Sequence, residues 1–218
     1  MQITDYINTD IPPLLSEDSM EKVFNYFEQH TYTHMPLVKN NKLLGNIAEA
    51  DLQGFSKNAR AEDYLYAFDI FFVRNTTNWV NVLEIFSKKE TNIMPVLDKN
   101  NHYLGYYDLI DIMTFFRETP FLKEPGGIMI VEKGIKDYSF SEISQIIESN
   151  NAKLLGGFIS EISDDIIQIT LKIGTTGLND VIQTFRRYGY NIVFGNETDS
   201  YMENLKDRSE YLNKYLNI

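Results

Sequence analysis

The chain has 218 residues, with 31 acidic and 20 basic side chains and a formal net charge of −11 at pH 7. Because nucleic acids are held mainly by Lys and Arg on phosphates, this balance excludes a general nucleic-acid binder. The absence of cysteine excludes disulfides, thiolate catalysis and Cys-ligated zinc. No apolar run approaches the roughly 20 residues that span a bilayer, so we expect a cytoplasmic protein with no membrane segment.

The first long predicted element is an amphipathic helix in "SEDSMEKVFNYFEQH". Asp18 and Glu21 have the spacing of a capping pair, which predicts the helix start at this point. "THMPLVKNNKLLG", from Thr33 to Gly45, then predicts a short strand opened by Pro36, an Asn-rich hairpin turn and a second strand through the glycine. Apolar side chains mark the inner helix face at i, i+3, i+4 and i+7: Met20, Val23, Phe24 and Phe27.

A second copy of this pattern follows. "NIMPVLDKNNHYLG" runs from Asn92 to Gly105, and Met94-Pro95 lies 59 residues after Met35-Pro36. The later part of the phrase is offset by 60 residues, so Asp98 is a single insertion, which we place in the turn. Two such α/β units bury both sheet faces when they pack about an approximate two-fold axis. The second helix face has the same spacing as the first: Trp79, Val82, Leu83 and Phe86.

Between the copies, a polar loop leads into an aromatic-rich approach to the strand "IFFVR". Aromatic rings can stack on bases, but here they have no basic surround, which favours packing in the core or against another subunit. The cluster consists of Tyr64, Tyr66, Phe68, Phe71 and Phe72.

The repeated order of helix, "MPLV" or "MPVL", "KNNKLLG" or "KNNHYLG", and closing helix resembles the CBS domain, whose copies occur as tandem pairs called Bateman modules. The resemblance covers residues 3–118, with one repeat in 1–58 and the other in 59–118. It implies a regulatory, non-catalytic module that commonly binds adenine nucleotides in the clefts between the two copies.

The resemblance also implies which residues form those clefts. In the family, a Thr or Ser for phosphate follows the glycine strand, with an Asp for the ribose three residues later. Asp51 and Asp111 match the Asp, but Ala48 and Asp108 replace the hydroxyl residue. His34 matches a basic residue that often precedes the Pro strand. The possible ligands are an adenine nucleotide or S-adenosylmethionine. The alternative is an interaction scaffold that has lost its ligand.

Other interpretations of these residues remain open. An Asp near a helix start is favoured by the helix dipole and by capping, whatever the function. His30 and His34 are four residues apart and could hold a metal on one helix face. However, "THMP" leads into a strand, so the helix is expected to end between them, and we predict no metal site. Motifs of nucleophilic or phosphate-loop enzymes are missing from the sequence, so we predict no catalytic residue.

The pattern changes after a linker at 119–126, which contains Pro120, Pro125 and Gly126. Residues 127–196 predict the element order βαββαβ of the ferredoxin-like fold. Ser139 and Glu142 have capping-box spacing at the first helix, and a hairpin turns at Asp164-Asp165.

This segment resembles an ACT domain, so the fold class is α+β, with a CBS pair followed by an ACT-like domain. The same layout occurs in acetoin-utilisation-type regulatory proteins. ACT domains often bind amino acids near their first strand-to-helix loop, but "EKGIKDYS" has no Pro there and supports no specific amino-acid site. Both modules usually pair with a second copy, so we expect a homodimer. The C-terminal residues 197–218 predict a helix with one stripe: Tyr201, Leu205, Arg208, Leu212 and Tyr215.

Overall fold

A computed structural model describes residues 2–174 and 177–195. The chain forms two compact units, which divide between Phe116 and Arg117. Within the described ranges, no helix is long and apolar enough to cross a membrane. The C-terminal helix predicted at 197–218 lies outside the described residues.

The first unit contains two copies of one small α/β motif. Each copy has a three-stranded sheet whose strands lie side by side in chain order. In each sheet the middle strand runs parallel to the short first strand and antiparallel to the third. The first copy comprises a 3-10 helix (Ile3–Tyr6), β1 (Leu14–Leu15), α1 (Met20–Gln29), β2 (His34–Lys39), β3 (Lys42–Ala48) and a 3-10 helix (Glu49–Gly54). The second copy comprises a 3-10 helix (Ala61–Ala67), β4 (Val73–Arg74), α2 (Trp79–Lys89), β5 (Ile93–Leu97), β6 (Tyr103–Asp108) and α3 (Leu109–Arg117).

The predicted helix faces are confirmed, but the predicted cap of α1 is wrong. The N-cap is Ser19, whose side chain accepts a hydrogen bond from the backbone of Lys22. Asp18 lies one residue too early to cap the helix. Its carboxylate instead accepts hydrogen bonds from the backbone of Leu15 and from the Lys22 ammonium, both at 2.8 Å. The carboxylate therefore fixes the turn that leads into the helix.

The predicted strand starts are also wrong, because β2 and β5 begin two residues before their prolines. Pro36 faces Asn46 across the sheet, and the backbone of Asn46 bonds to Asp69 on the other side of β3. When two residues face each other in an antiparallel pair, either they exchange backbone hydrogen bonds with each other, or the N–H and C=O groups of both point away from the partner strand. The Pro36 nitrogen therefore points away from β3, and β1 pairs with β2 only from Leu37 onward. The missing N–H costs no hydrogen bond between strands.

Each sheet is extended by a segment from the other copy. Asn46 in β3 exchanges two backbone hydrogen bonds with Asp69, at 2.8 and 3.1 Å, and its side-chain amide donates to Phe71 O at 2.9 Å. Tyr106 in β6 exchanges the same pair with Asn8, at 2.8 and 3.0 Å. We call the two segments that contain Asn8 and Asp69 the crossed lead-in segments. They tie the copies together through backbone bonds.

Gly45 and Gly105 are the two repeated glycines, and the lead-in segments leave no room for a side chain at either position. A Cβ on Gly45 would lie 2.9 Å from the Cβ of Phe68, and a Cβ on Gly105 would lie 2.4 Å from the carbonyl oxygen of Asn8. Gly105 also has a φ of +143°, which side chains rarely adopt. The glycines let the lead-in backbone lie directly on the strand.

The buried core of the first unit lies between the helices and the two sheets. Val23 of α1 and Val82 of α2 are both fully buried. Of the aromatic cluster between the copies, Phe68 and Phe71 are buried, which confirms packing for these two rings, whereas Tyr66 is 81% exposed. For Tyr66, a subunit contact stays a prediction.

The second unit is one antiparallel sheet of four strands, with two helices on one face. The element order βαββαβ is present. Ser139 accepts a hydrogen bond from the backbone of Glu142 and caps the first helix, as predicted. A four-residue helix stands within the segment expected as a linker. The elements are α4 (Pro120–Lys123), β7 (Gly127–Gly134), α5 (Phe140–Ser149), β8 (Lys153–Ser163), β9 (Ile166–Gly174), α6 (Asn179–Arg187) and β10 (Asn191–Phe194).

We predict that Gly105→Ala lowers the free energy of unfolding by about 2 kcal/mol, because the new methyl group collides with Asn8 and φ becomes strained. Gly54→Ala is the control, since nothing lies within 4 Å of its Cβ, and it should change stability by less than about 0.5 kcal/mol. Urea unfolding of the three proteins measures both effects. Equal stability of the two variants would show that the lead-in segment does not press on Gly105.

Candidate functional site

The first cleft is a cavity of about 380 Å³ to which both copies contribute. It lies where β2 begins, β3 ends and α2 ends. The start of β2 and the end of β3 face each other because His34 pairs with Ala48 across the sheet. The lining residues are Thr33, His34, Ala48, Glu49, Ala50, Lys89 and Glu90.

His34 is positioned by aromatic and polar contacts. Its ring meets Phe71 edge-on, with centroids 5.3 Å apart, and its Nδ1 lies 3.0 Å from Thr33 Oγ1. Burial lowers the pKa of His34 below its ordinary value, although Asp69 and Asp51 act in the opposite direction. The imidazole is therefore mainly neutral near pH 7. It serves as a hydrogen-bonding group, not as the cation that the resemblance led us to expect.

The cation of the cleft is Lys89, the last residue of α2. Its Nζ lies 2.7 Å from Asp69 Oδ2 and 5.7 Å from the centre of the Phe71 ring. The hydrogen bond from Lys89 is the main reason that the pKa of Asp69 is lowered. Glu49 and Glu90 add two carboxylates, so negative charge exceeds positive charge around this cavity.

Glu90 has an unusual backbone. It ends α2 in the left-handed conformation, with φ 49° and ψ 40°. Glycine is the usual residue at such a helix end because a side chain costs free energy there. This residue with a left-handed backbone also lines the first cleft.

The structure brings together only part of the predicted first site. His34 and Ala48 both line the cavity. Asp51 is exposed on the 3-10 helix Glu49–Gly54 and is not a lining residue, although its charge acts on His34. Thr33, Lys89 and Glu90 were missed. A signal for Lys89 exists in the repeat, because it lies 59 residues after His30, at the matching helix end.

In the second copy, both carboxylate oxygens of Asp108 have hydrogen-bond donors. Oδ1 accepts from the backbone of Ile110 at 2.7 Å, at the start of α3, and Oδ2 accepts from the Tyr32 hydroxyl at 3.2 Å. The Tyr32 ring also meets Tyr106 edge-on, at 5.8 Å. Asp108 therefore begins a helix and holds a tyrosine from the other copy.

Asp111 lines a different cavity, of about 290 Å³, together with the N-terminal segment Asp5 to Asp10. Burial, and then the charge of Asp108, raise the pKa of the Asp111 carboxyl. The described lining contains three carboxylates, from Asp5, Asp10 and Asp111, and no basic side chain. This cavity is electrostatically unsuited to a phosphate.

Thr33 and Asn92 join the copies at the approximate two-fold axis, because they are equivalent residues 59 positions apart. The backbone of Thr33 donates to Asn92 Oδ1 at 2.9 Å, and the backbone of Asn92 donates to Thr33 Oγ1 at 3.2 Å. Thr33 also lines the first cleft. One residue of the cleft wall thus also forms the contact between the two copies.

The two histidines considered for a metal lie on different elements. Helix α1 ends at Gln29, so His30 caps it, and His34 is the first residue of β2. Across residues 2–174 and 177–195, no group of three or more His, Asp or Glu side chains is placed to hold a metal ion.

Comparison with known families settles the identity of the first unit. A model of the CBS domain matches residues 3–57 and 64–118, about half of the chain. The chain belongs to the CBS-domain family. The repeat predicted from the two glycine phrases is thus a tandem CBS pair.

Two curated proteins are similar in sequence to parts of this chain, at low identity. An inosine-5'-monophosphate dehydrogenase of Methanocaldococcus jannaschii is 19% identical over 141 residues, which are 64% of this chain and 28% of that protein. An uncharacterized protein of the same organism is 19% identical over 114 residues, 52% of this chain and 43% of that protein. The chain thus spans less than half the length of either relative.

Among solved structures, a CBS domain pair/ACT domain protein from Thermotoga maritima is similar to this chain. The identity is 16%, the coverage is 54% of this chain and 98% of that one, and the TM-score is 0.49.

We predict that the His34 ring titrates below 6.5. The folded state then binds fewer protons than the unfolded state between pH 6.5 and the lowered pKa. The contribution of His34 to stability is accordingly intact above pH 6.5 and is lost as the pH falls through the lowered pKa. An NMR titration measures the pKa, and His34→Gln should lose less stability than the wild type between pH 7 and pH 5. A midpoint above 6.5 would contradict the burial of this ring.

We predict that Glu90→Gly raises the free energy of unfolding by about 1 kcal/mol, because glycine adopts the left-handed conformation without a penalty. The matched control is Glu84→Gly, in the exposed middle of the same helix, which should lower it by about 1 kcal/mol. Thermal unfolding distinguishes the two signs. A loss of stability in Glu90→Gly would mean that the Glu90 side chain stabilises the helix end.

Proposed function

We propose that the CBS pair is a non-catalytic ligand-sensing module that binds an adenosine-containing molecule in the first cleft. The observation that carries this proposal is the cavity between the copies, which has the volume of a small-molecule site and joins Thr33, His34 and Lys89. Members of the family commonly bind adenine nucleotides in clefts of this kind. Ala48 offers an apolar wall where the family usually has a hydroxyl.

The charges of the cleft favour a neutral or cationic ligand over a phosphate. Lys89 is engaged by Asp69 at 2.7 Å, and Glu49 and Glu90 repel an anion. Two like charges about 4 Å apart repel by roughly 4 kcal/mol at an effective dielectric near 20. S-adenosylmethionine carries a sulfonium, an ammonium and a carboxylate group and is therefore a net cation, so it suits this cleft better than an adenine nucleotide.

The second copy supports a stoichiometry of one ligand per chain. Its position equivalent to Ala48 is Asp108, whose carboxylate already bonds to Tyr32 and Ile110 and would repel a phosphate. A scaffold that has lost its ligand is the second candidate function. The observation that favours it is that both carboxylate oxygens of Asp108 already accept hydrogen bonds within the chain.

We propose that the second unit is an ACT-like domain. The order βαββαβ and the strand order β10-β7-β9-β8 support this proposal. Its first strand-to-helix loop carries a cavity of about 210 Å³, lined by Gly134, Ile135, Lys136, Asp137 and Asp165.

Calorimetric titration of S-adenosylmethionine, adenosine and AMP into the full chain tests the proposal. We expect S-adenosylmethionine to bind at one site per chain, and AMP to bind at least about tenfold more weakly because of the carboxylates. Glu49→Gln should weaken the binding of S-adenosylmethionine and improve that of AMP. Glu84→Gln, on the exposed face of α2, is the matched control and should leave both unchanged.

The outcomes separate the candidates. If a folded wild type binds none of the three compounds, the proposed adenosine-containing ligand is wrong and the scaffold becomes the favoured function. If AMP binds more tightly than S-adenosylmethionine, the cleft is nucleotide-specific and the charge argument is wrong. Two sites per chain would show that the contact between Tyr32 and Asp108 does not prevent binding in the second copy.

A further inference from the structure

The residues just before Thr33 and Asn92 differ greatly in size between the two copies. Tyr32 stands before Thr33, and Thr91 stands before Asn92, 59 positions later. Thr91 is 4% exposed, and its hydroxyl donates to the backbone oxygen of Ile93 at 2.9 Å. Its side chain is therefore turned back onto its own strand, and it is not a lining residue of the first cleft.

The Tyr32 side chain lies across the place in the second copy that matches the first cleft. Asp108 at the end of β6 corresponds to Ala48 of the cleft lining. His30 at the end of α1 corresponds to Lys89 in the same way. The Tyr32 hydroxyl lies 3.2 Å from Asp108 Oδ2, and its ring centre lies 6.2 Å from that of His30. A side chain thus spans two elements whose counterparts border a cavity in the first copy.

The hydroxyl of Tyr32 acts as a donor in this place. Burial, followed by the hydrogen bond with Tyr106, raises the pKa of Tyr32, so the hydroxyl stays protonated near pH 7. It donates to Asp108, whose other carboxylate oxygen accepts from the backbone of Ile110. The edge-on contact with Tyr106, with ring centres 5.8 Å apart, holds the Tyr32 ring beside the end of β6.

We propose that Tyr32 acts as an internal ligand of the second copy, and that without its side chain this place binds a small aromatic molecule with a hydrogen-bond donor. The difference between Thr91 and Tyr32 decides which site is open: Thr91 leaves the first cleft free, whereas Tyr32 fills its counterpart. The inference deepens the one-site function proposed above and rests on it for the adenosine experiment below. Its first test does not depend on the ligand of that function.

The exposure of Tyr32 favours an occupant over an ordinary core residue. The side chain is only half-buried, so the place that it fills opens to solvent. A molecule from solution can therefore reach Asp108 once the ring is removed. The contact between Tyr32 and Asp108 also joins residues 76 positions apart, so a side chain of the first copy serves the site of the second.

Replacing Tyr32 by the residue of the equivalent position tests the proposal in the full chain. The probe is p-cresol, which is the tyrosine side chain as a free molecule. At about ten times its dissociation constant, p-cresol should raise the thermal unfolding midpoint of Tyr32→Thr by about 3 °C. Toluene, which lacks the donor, should raise it less. The control is Tyr66→Thr, because Tyr66 is 81% exposed, and neither this variant nor the wild type should be stabilised by p-cresol.

Three results would overturn the proposal. The first is an equal p-cresol shift in Tyr32→Thr and Tyr66→Thr, and the second is a toluene shift as large as that of p-cresol. The third applies if Tyr32→Thr does not unfold cooperatively on its own. In that case p-cresol should restore a cooperative transition, and the absence of any restoration would count against an aromatic site beside Asp108.

A titration with adenosine tests the connection to the proposed function. The double variant Tyr32→Thr with Asp108→Ala gives the second copy the residues that the first cleft has at these positions. Calorimetry should find two adenosine sites in the double variant and one in the wild type. One site in both proteins would show that Tyr32 does not close the second copy. A wild type without an adenosine site would contradict the proposed function, whereas the p-cresol shift would still decide this inference.

Discussion

The first unit depends on one constraint: each sheet is completed by backbone from the other copy. Asn46 with Asp69, and Tyr106 with Asn8, exchange paired hydrogen bonds that neither copy can form alone. A buried backbone group without a partner costs free energy comparable to a lost hydrogen bond. The duplication is therefore a structural requirement, and the glycines of the repeated phrase follow from it because they leave room for the crossing backbone.

The same crossing determines the chemistry of the first cleft. It brings Phe71 against His34, and it brings Asp69 next to Lys89. One copy thus supplies the neutral imidazole and the other supplies the cation together with the carboxylate that neutralises it. The charge balance of the cleft is therefore set by two distant parts of the sequence.

Most local features of the fold were predictable from the sequence, although the cap of α1 is Ser19 and not the expected Asp18. Helix faces, Asn-rich turns and the Ser139 cap depend on neighbouring residues, so their patterns predicted them correctly. The pairing of Tyr32 with Asp108 spans 76 residues and has no local signature. The strand starts were also mispredicted, because the tolerance for Pro36 depends on what lies beside β2, which one segment of sequence cannot specify. In the candidate site, resemblance found His34 and Ala48, but the packing of α2 supplied Lys89.

Asp69 forms two separate contacts, one with its backbone and one with its side chain. Its backbone holds the lead-in segment against Asn46, and its carboxylate holds Lys89 at the mouth of the cleft. A molecule in the cleft that pairs with Lys89 therefore competes with the carboxylate of a residue whose backbone joins the two copies.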